Sequence, residues 1–354
     1  MKAHRRQMAG LGVALVAGAA LIWAPSPAEP APPPPTAAQA WPDAQKGTLP
    51  PDLPDGTAYD PGLFLDIRTS VGSAPTRDGK HIRLVIRGPG EAVRELRRLP
   101  LTQNPAFVSP SVAGDILVWA ESTRAGLHLW TADLRAGRPA RLLTGDIGDA
   151  RLYQTQYDLV ISPGRVNWVA AAPEAGTEIR SVALTGGPVA KRVVPGNWAL
   201  TAWPWMVDGL ADISGASRLR SLVTGEERAV PITRLSETAC TPLWCRAVSL
   251  DDDGYPKIEV VRTDGGERRL VARETARTVI SDVAVLGRFE VFARVTPASE
   301  LTGRDELLVY DIETNRTVRV SPEAGNVRYR NGVLEWTTGN AESFLRHVLD
   351  LRSI

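Results

Sequence analysis

Cysteine, histidine and net charge are all scarce in this 354-residue sequence. The two cysteines, Cys240 and Cys245, exclude a disulfide-rich scaffold and a four-cysteine zinc site. The four histidines are far apart and show no metal-ligand spacing, which argues against a multi-histidine metal site. Because 41 basic side chains nearly balance 40 acidic ones, no long-range field attracts nucleic acid, and we expect no nucleic-acid partner.

Familiar catalytic signatures are missing as well. The sequence has no Gly-x-Ser-x-Gly elbow, no Walker-type glycine loop and no dinucleotide-binding fingerprint. We therefore predict no catalytic residue, no metal site and no cofactor, and the sequence favours binding over catalysis. An enzyme that assembles its site from residues scattered over several repeats would leave no such signature, so this alternative stays open.

The N-terminus reads as an export signal. An uncharged apolar run at residues 8–24 follows the basic segment KAHRR, and its length is near the lower limit for a membrane-spanning helix. Residues 1–24 are therefore predicted to be a signal peptide or a membrane anchor. Either alternative places the rest of the chain outside the cytoplasm, secreted after cleavage or held by residues 8–24 as its only membrane contact.

A proline-rich segment follows the apolar run. Prolines cannot donate to helix or sheet hydrogen bonds and favour extended polyproline geometry, so residues 25–58 are predicted to be a semi-rigid linker. The remaining residues, 59–354, are predicted to form one folded domain.

This predicted domain consists of short apolar strands separated by Gly, Asp, Asn and Pro turns, which indicates an all-β fold. The clearest repeat, residues 108–144, contains ILVWAES, LHLWTADL and RPARLLT. Equivalent turns recur every 38 to 50 residues or so, as expected for four-stranded β-propeller blades. Seven such turns predict about seven blades, or six if the two incomplete termini combine into one.

The succession Ser-Pro, GDILVWAES, LHLWTADLRAG and RPARLLT resembles the repeat of TolB-like, WD-like β-propellers. The chain also resembles uncharacterised actinobacterial membrane-anchored propeller proteins. TolB-like propellers of bacterial envelopes mostly bind proteins, so the resemblance implies a non-catalytic, protein-binding platform at the cell envelope. Its partner would be another envelope protein or a cell-wall glycan. The alternatives are a glycan lyase or hydrolase with a scattered site, and a glycan-binding module.

Two turns are candidate sites. Cys240 and Cys245 flank a proline-bent loop and are predicted to form a disulfide in an oxidising compartment. The run Asp251-Asp252-Asp253-Gly254 lacks the alternating ligands of a calcium loop, so a hairpin turn is the better prediction.

Tryptophans and arginines complete the list of candidates. Trp198, Trp203 and Trp205 form a local cluster that could bind a partner, although packing inside a blade is the competing interpretation. Core packing is predicted for Trp119, Trp168 and Trp336. A solvated face is predicted for the arginines that recur at equivalent repeat positions, namely Arg94, Arg97, Arg98, Arg135, Arg138 and Arg141.

Overall fold

The computed structural model describes residues 32–354, except residues 91, 209–217, 231–235 and 341–342. The predicted signal or anchor at residues 1–24 and the first part of the predicted linker lie outside the described residues. Within the described residues, no helix combines the length and the hydrophobicity needed to cross a bilayer.

Before the first sheet, the described chain forms a short helix, α1 (Ala37–Ala40), and one strand, β1 (Lys46–Leu49). The strands of the described residues form six antiparallel sheets, one of which has seven strands. We divide that sheet at its long central strand and number the resulting seven units sheets 1 to 7. Sheet 1 contains β2 (Asp60–Phe64), β3 (Ser70–Pro75), β4 (His81–Arg87) and β5 (Val93–Pro100). Sheet 2 contains β6 (Ala106–Ala113), β7 (Ile116–Thr123), β8 (Gly126–Asp133) and β9 (Arg141–Thr144).

Sheet 3 has a divided first strand, and sheets 4 and 5 are simple meanders. Sheet 3 contains β10 (Asp149–Ala150), β11 (Val160–Ser162), β12 (Arg165–Ala172), β13 (Gly176–Ala183) and β14 (Ala190–Pro195). Sheet 4 contains β15 (Trp198–Leu200), β16 (Trp205–Asp208), β17 (Arg218–Ser221) and β18 (Glu227–Ala229). Sheet 5 contains β19 (Glu237–Cys240), β20 (Trp244–Leu250), β21 (Pro256–Arg262) and β22 (Arg268–Arg273).

One long strand joins the last two sheets, because its first part pairs with β25 and its second part with β27. Sheet 6 contains β23 (Ala276–Thr278), β24 (Phe289–Arg294), β25 (Asp305–Asp311) and the first part of β26 (Arg316–Arg330), with helix α2 (Pro297–Thr302) in one turn. Sheet 7 contains the second part of β26, then β27 (Val333–Gly339), β28 (Phe344–Asp350) and β1. Short 3₁₀ turns lie at Leu101–Gln103 and Leu351–Ser353.

The all-β prediction is confirmed, and the predicted repeat at residues 108–144 corresponds to sheet 2. Neighbouring sheets pack face to face on their apolar side chains. One core cluster joins Val118 and Leu129 of sheet 2 to Trp168 and Val182 of sheet 3. The three tryptophans predicted to pack in the core are at most 7% exposed, which confirms that interpretation.

Both chain ends contribute to sheet 7, because β1 pairs antiparallel with β28 from Lys46↔Leu349 to Leu49↔Arg346. The pairing removes an exposed edge of that sheet. It differs from the six-blade alternative, because the incomplete N-terminal repeat forms a sheet of its own and β1 comes from the predicted linker. The predicted linker boundary at residue 58 is wrong. Trp41 and Leu53 are buried in core clusters, so the second half of the predicted linker belongs to the fold. The proline-rich composition concealed this short strand.

Each meander has two distinct ends. The turns after the first and third strands lie at one end, which we call the odd-turn end, and the turns after the second and fourth strands lie at the even-turn end. Arginines at the start of several fourth strands donate to the carbonyl that begins the third-strand turn of the next sheet. These inter-sheet contacts are Arg94 to Leu134, Arg141 to Leu184, Arg192 to Leu222 and Arg269 to Ile312.

The solvated-face prediction for the recurring arginines is therefore wrong for some of them. Arg94 and Arg141 bind the adjacent sheet, and Arg97 donates to both carboxylate oxygens of Glu121 at 2.8 and 3.1 Å. The guanidinium of Arg97 also lies 3.7 Å from the centroid of the Trp130 ring. Arg98 pairs with Glu95 of its own strand, at the exposed surface.

We expect Arg94→Met to lower the free energy of unfolding by about 1–2 kcal/mol, because it removes a charged donor to a carbonyl of the neighbouring sheet. The methionine keeps the aliphatic packing of the arginine stem. The matched control is Arg98→Met on the same strand, whose surface ion pair contributes at most about 0.5 kcal/mol. Urea denaturation at constant slope measures both variants, and equal effects would contradict the role of Arg94.

Candidate functional site

The predicted tryptophan site divides into buried and half-buried members. Trp198 is 1% exposed and its Nε1 donates to the Pro195 carbonyl at 2.8 Å, so its prediction as a binding residue is wrong. Trp203 and Trp205 are half-buried. The guanidinium carbon of Arg228 lies 4.5 Å from the Trp205 ring centroid and covers that side chain. Trp203 is therefore the member of the cluster with the best access to a partner.

The two predicted turns form as expected. Cys240 and Cys245 are joined by a disulfide that closes the first turn of sheet 5. The Asp251 carboxylate accepts hydrogen bonds from the backbone N–H groups of Asp253 and Tyr255, and Gly254 adopts a φ of 83°. This acidic run therefore forms the hairpin turn between β20 and β21.

A cavity of about 740 Å³ lies among the first strands of several sheets. Its lining comes from β2, β6 and β26, from the loop at residues 151–159 that interrupts the first strand of sheet 3, and from the segment after β23. A second cavity of about 700 Å³ shares the segment after β23 and opens at the even-turn end of sheets 5 to 7. The first strands of several sheets therefore line these two cavities.

Two carboxylates and two arginines meet at one side of the first cavity. Asp60 accepts from Arg328 Nη2 at 2.7 Å, and Arg328 Nε lies 3.5 Å from Glu335 Oε2. Arg346 Nε lies 3.2 Å from Glu335 Oε1 without hydrogen-bond alignment, so this interaction is electrostatic. Glu335 is 3% exposed, and its burial raises its pKa to about 7 although both arginines favour the charged form.

The loop at residues 151–159 crosses from sheet 3 toward the opposite wall. The Asp158 carboxylate holds it together by accepting from the backbone N–H of Tyr153 at 2.8 Å, from the backbone N–H of Gln154 at 2.9 Å and from the Ser109 hydroxyl of sheet 2 at 2.8 Å. Arg330 of sheet 7 donates to the Thr155 carbonyl at 3.2 Å. The loop is thus tied to two other sheets.

Its far end reaches sheet 6, where Gln156 Nε2 donates to Asp282 Oδ1 at 3.2 Å. Asp282 is 7% exposed, and burial raises its pKa to about 6 despite the amide of Gln156 and the positive charges of Arg330 and Arg246. Arg246 itself donates to Glu290 at 2.9 Å. The loop therefore makes hydrogen bonds to sheets 2, 6 and 7.

The even-turn mouth is polar and more open. Arg277 is 59% exposed at its side chain and pairs with the buried carboxylate of Asp305. Arg304 donates to the Thr337 carbonyl at 3.2 Å, and Glu237 is exposed at the opposite wall. Charged groups of both signs at a concave mouth can recognise a polar macromolecular surface.

The sequence did not indicate Asp282 or Glu335 as site residues. These carboxylates come from different sheets and share no motif, so only the fold brings them into one cavity. A signal was nevertheless present: Glu335 stands in the apolar run Val-Leu-Glu-Trp and Asp282 in Val-Ile-Ser-Asp-Val. An acidic residue inside an apolar strand pattern is rarely buried without a role or a partner. Within the described residues, no three His, Cys, Asp or Glu side chains lie close enough to hold a metal ion.

No family model and no curated protein matches this chain. Among solved structures, an uncharacterized protein from Listeria monocytogenes EGD-e matches with a TM-score of 0.51 and 10% identity, covering 78% of this chain and 88% of that one. The β-propeller domain of the Trilobed protease from Pyrococcus furiosus has a TM-score of 0.45 and 13% identity, covering 70% and 83%.

TolB from Acinetobacter baumannii has a TM-score of 0.42 and 10% identity. That match covers 72% of this chain and 63% of TolB. Identities this low bear on the fold alone and not on activity. The repeated four-stranded antiparallel sheets support the predicted β-propeller fold.

Proposed function

We propose that this chain is an extracytoplasmic, seven-bladed β-propeller that serves as a non-catalytic binding platform for another protein of the cell envelope. Each of the seven sheets is one blade, and the partner binds the polar mouth at the even-turn end. The observation that carries the proposal is the state of the cavity carboxylates. Asp60 and Asp305 are each held by an arginine in an internal ion pair, which leaves them little freedom to take part in catalysis.

The remaining arguments concern location. An N-terminal apolar run after basic residues supports export, and the Cys240–Cys245 disulfide suits an oxidising compartment. A rigid closed ring of sheets presents its turns with little entropy loss on binding, which suits a platform. A cell-wall glycan is the alternative partner for the same mouth.

Affinity capture from cross-linked cell envelopes tests the proposal, with the tagged full-length chain as bait. We expect the charge reversal Arg277→Glu at the even-turn mouth to lower recovery of a specific envelope protein about tenfold, equivalent to ~1.4 kcal/mol of binding. The matched control is Arg138→Glu in an exposed turn at the odd-turn end of sheet 2. Loss of capture with Arg138→Glu alone, or a cytoplasmic location on fractionation, would contradict the proposal.

A second candidate function rests on Glu335. A carboxyl group with a pKa of about 7, beside a second carboxylate in a cavity, suits a general acid, which favours a glycan lyase or hydrolase with a scattered site. Turnover of cell-wall glycan that disappears in Glu335→Gln would support this function over the platform.

A further inference from the structure

The odd-turn end of sheets 4 to 6 carries exposed apolar side chains among charged ones, which include Glu226, Asp264 and Arg288. The first turns of sheets 4 and 5, residues 201–204 and 241–243, contain no charged side chain, and in the longer first connection of sheet 6 residues 284–287 contain none between Asp282 and Arg288. Three aliphatic side chains project there, and Trp203 flanks them. We call this surface the apolar rim, consisting of Trp203, Val223 (72% exposed), Leu243 (51%) and Leu286 (50%).

The rim is continuous and held rigidly. The Leu222 N–H donates to the Pro204 carbonyl at 2.8 Å, which joins the two odd turns of sheet 4. The Thr201 hydroxyl donates to the Cys240 carbonyl at 3.3 Å, next to the disulfide that closes the Leu243 turn. A Cβ added to Gly287 would lie 3.4 Å from Leu243 Cδ1, so the turns of sheets 5 and 6 are in contact.

Leu286 has an unfavourable backbone conformation. Its φ of 58° lies in the left-handed region, which is unfavourable for a residue with a Cβ. A glycine or asparagine would relieve that strain, and a polar residue would avoid exposing a leucine in water. An exposed leucine in this conformation indicates that its side chain meets something apolar.

The N-terminal part of the described chain indicates which apolar surface Leu286 meets. The Pro35 carbonyl accepts from the Arg319 N–H of sheet 6, and the Trp41 ring packs edge-on against Phe289 with centroids 5.8 Å apart. Val285, which directly precedes Leu286, belongs to the same core cluster as Trp41. The start of the folded unit is therefore fixed on the sheet segment that bears Leu286.

Only residues 25–34 separate the predicted membrane anchor from Pro35, and six of these ten residues are proline. Ten residues of any conformation span at most about 33–36 Å. We propose that the apolar rim rests on the lipid bilayer surface and orients the even-turn mouth away from the membrane. This inference extends membrane contact beyond residues 8–24, and it rests on the envelope location in the proposed function.

The charged side chains around the rim favour apolar over electrostatic contact with the bilayer. Arg228 pairs with Glu226 at 2.6 Å, Arg262 with Asp264 at 3.6 Å and Arg288 with Asp311 at 2.7 Å. Because these arginines are already paired, attraction to anionic headgroups is weak, and lipid contact comes from the aliphatic side chains entering the interface. The contact should therefore change little with salt.

Tryptophan fluorescence of the full-length chain in phosphatidylcholine–phosphatidylglycerol vesicles with brominated acyl chains tests the proposal. Leu286→Trp places an added indole on the rim, and Leu301→Trp is the matched control, because Leu301 is 89% exposed at the even-turn end of the same sheet. We expect brominated lipid to reduce the added fluorescence at least twofold in Leu286→Trp and to leave it unchanged in Leu301→Trp, at both low and high salt.

Equal quenching of the two variants, no quenching of either, or stronger quenching in Leu301→Trp would overturn the proposal. Quenching that disappears at high salt would overturn the apolar mode of contact. Cell fractionation tests the proposed function separately: a cytoplasmic chain would refute the envelope location whatever the vesicles show. Conversely, a specific partner captured at the even-turn mouth would leave the proposed function standing if the rim failed to meet lipid.

Discussion

A chain that begins at residue 59 will lose most of its stability, whereas a chain that begins at residue 35 will unfold like the full-length protein. The shorter chain lacks β1, so β28 loses the antiparallel partner that completes sheet 7. It also lacks the buried side chains of Trp41, Leu49 and Leu53. Burial of three such side chains contributes roughly 5 kcal/mol or more, which approaches the whole stability of a typical domain.

Thermal unfolding followed by circular dichroism measures the difference. We expect the midpoint to fall by about 10 °C or more in the chain from residue 59, together with aggregation through the unpaired edge of β28. Gly47→Pro in the full-length chain removes an N–H of β1 that faces β28 without deleting any residue, and it should destabilise in the same direction. Identical midpoints for the chains from residues 35 and 59 would show that β1 is dispensable.

The boundary between the predicted linker and the folded domain shows which parts of the fold the sequence predicts. The sequence of residues 108–144 predicts sheet 2, because alternating apolar runs and Gly or Asp turns are local signals of strands and hairpins. The pairing of Lys46–Leu49 with β28 spans about 300 residues of sequence, and no local pattern encodes it. A four-residue strand within a proline-rich segment carries too little periodicity to be recognised.

The candidate site was less predictable than the fold. The disulfide and the Asp251 turn depend on neighbours in sequence, and both formed as expected. The cavity cluster depends on long-range placement: Arg346 and Asp60 meet because the last and first sheets are adjacent. Trp198 and Trp203 differ in burial although they lie five residues apart, since one is on a strand between sheets and the other is in a turn.

Unlike many proteins, this one should become less stable as pH rises from 5 to 8. Burial raises the folded-state pKa of Asp282 to about 6 and that of Glu335 to about 7, both above the values of exposed carboxyl groups. The folded state therefore binds more protons than the unfolded state in this range, and stability is lost as pH passes through the folded pKa values. At about 1.4 kcal/mol per tenfold change in proton affinity, the loss totals roughly 4 kcal/mol.

Two other groups reduce the gain in stability that is expected at low pH. Burial lowers the pKa of His347, so part of the stability gained at lower pH is offset below its unfolded value of 6.5. Hydrogen bonds from Thr57 and Arg83 to the Asp55 carboxylate lower its pKa to about 2. The stability that the ionised Asp55 contributes is therefore lost only as pH falls from about 4 toward 2. We expect maximum stability near pH 5.

Urea denaturation at pH 5 and pH 8 tests the origin of the effect. Glu335→Gln cannot ionise, so it should remove more than half of the difference between the two pH values, even if loss of the pairing with Arg328 and Arg346 lowers stability at both. Asp252→Asn in the exposed hairpin turn is the matched control and should preserve the full difference. A wild-type protein that is more stable at pH 8 than at pH 5 would show that the arginines outweigh burial. In that case Glu335 would be a permanent structural anion, and the candidate role as a general acid would fall with it.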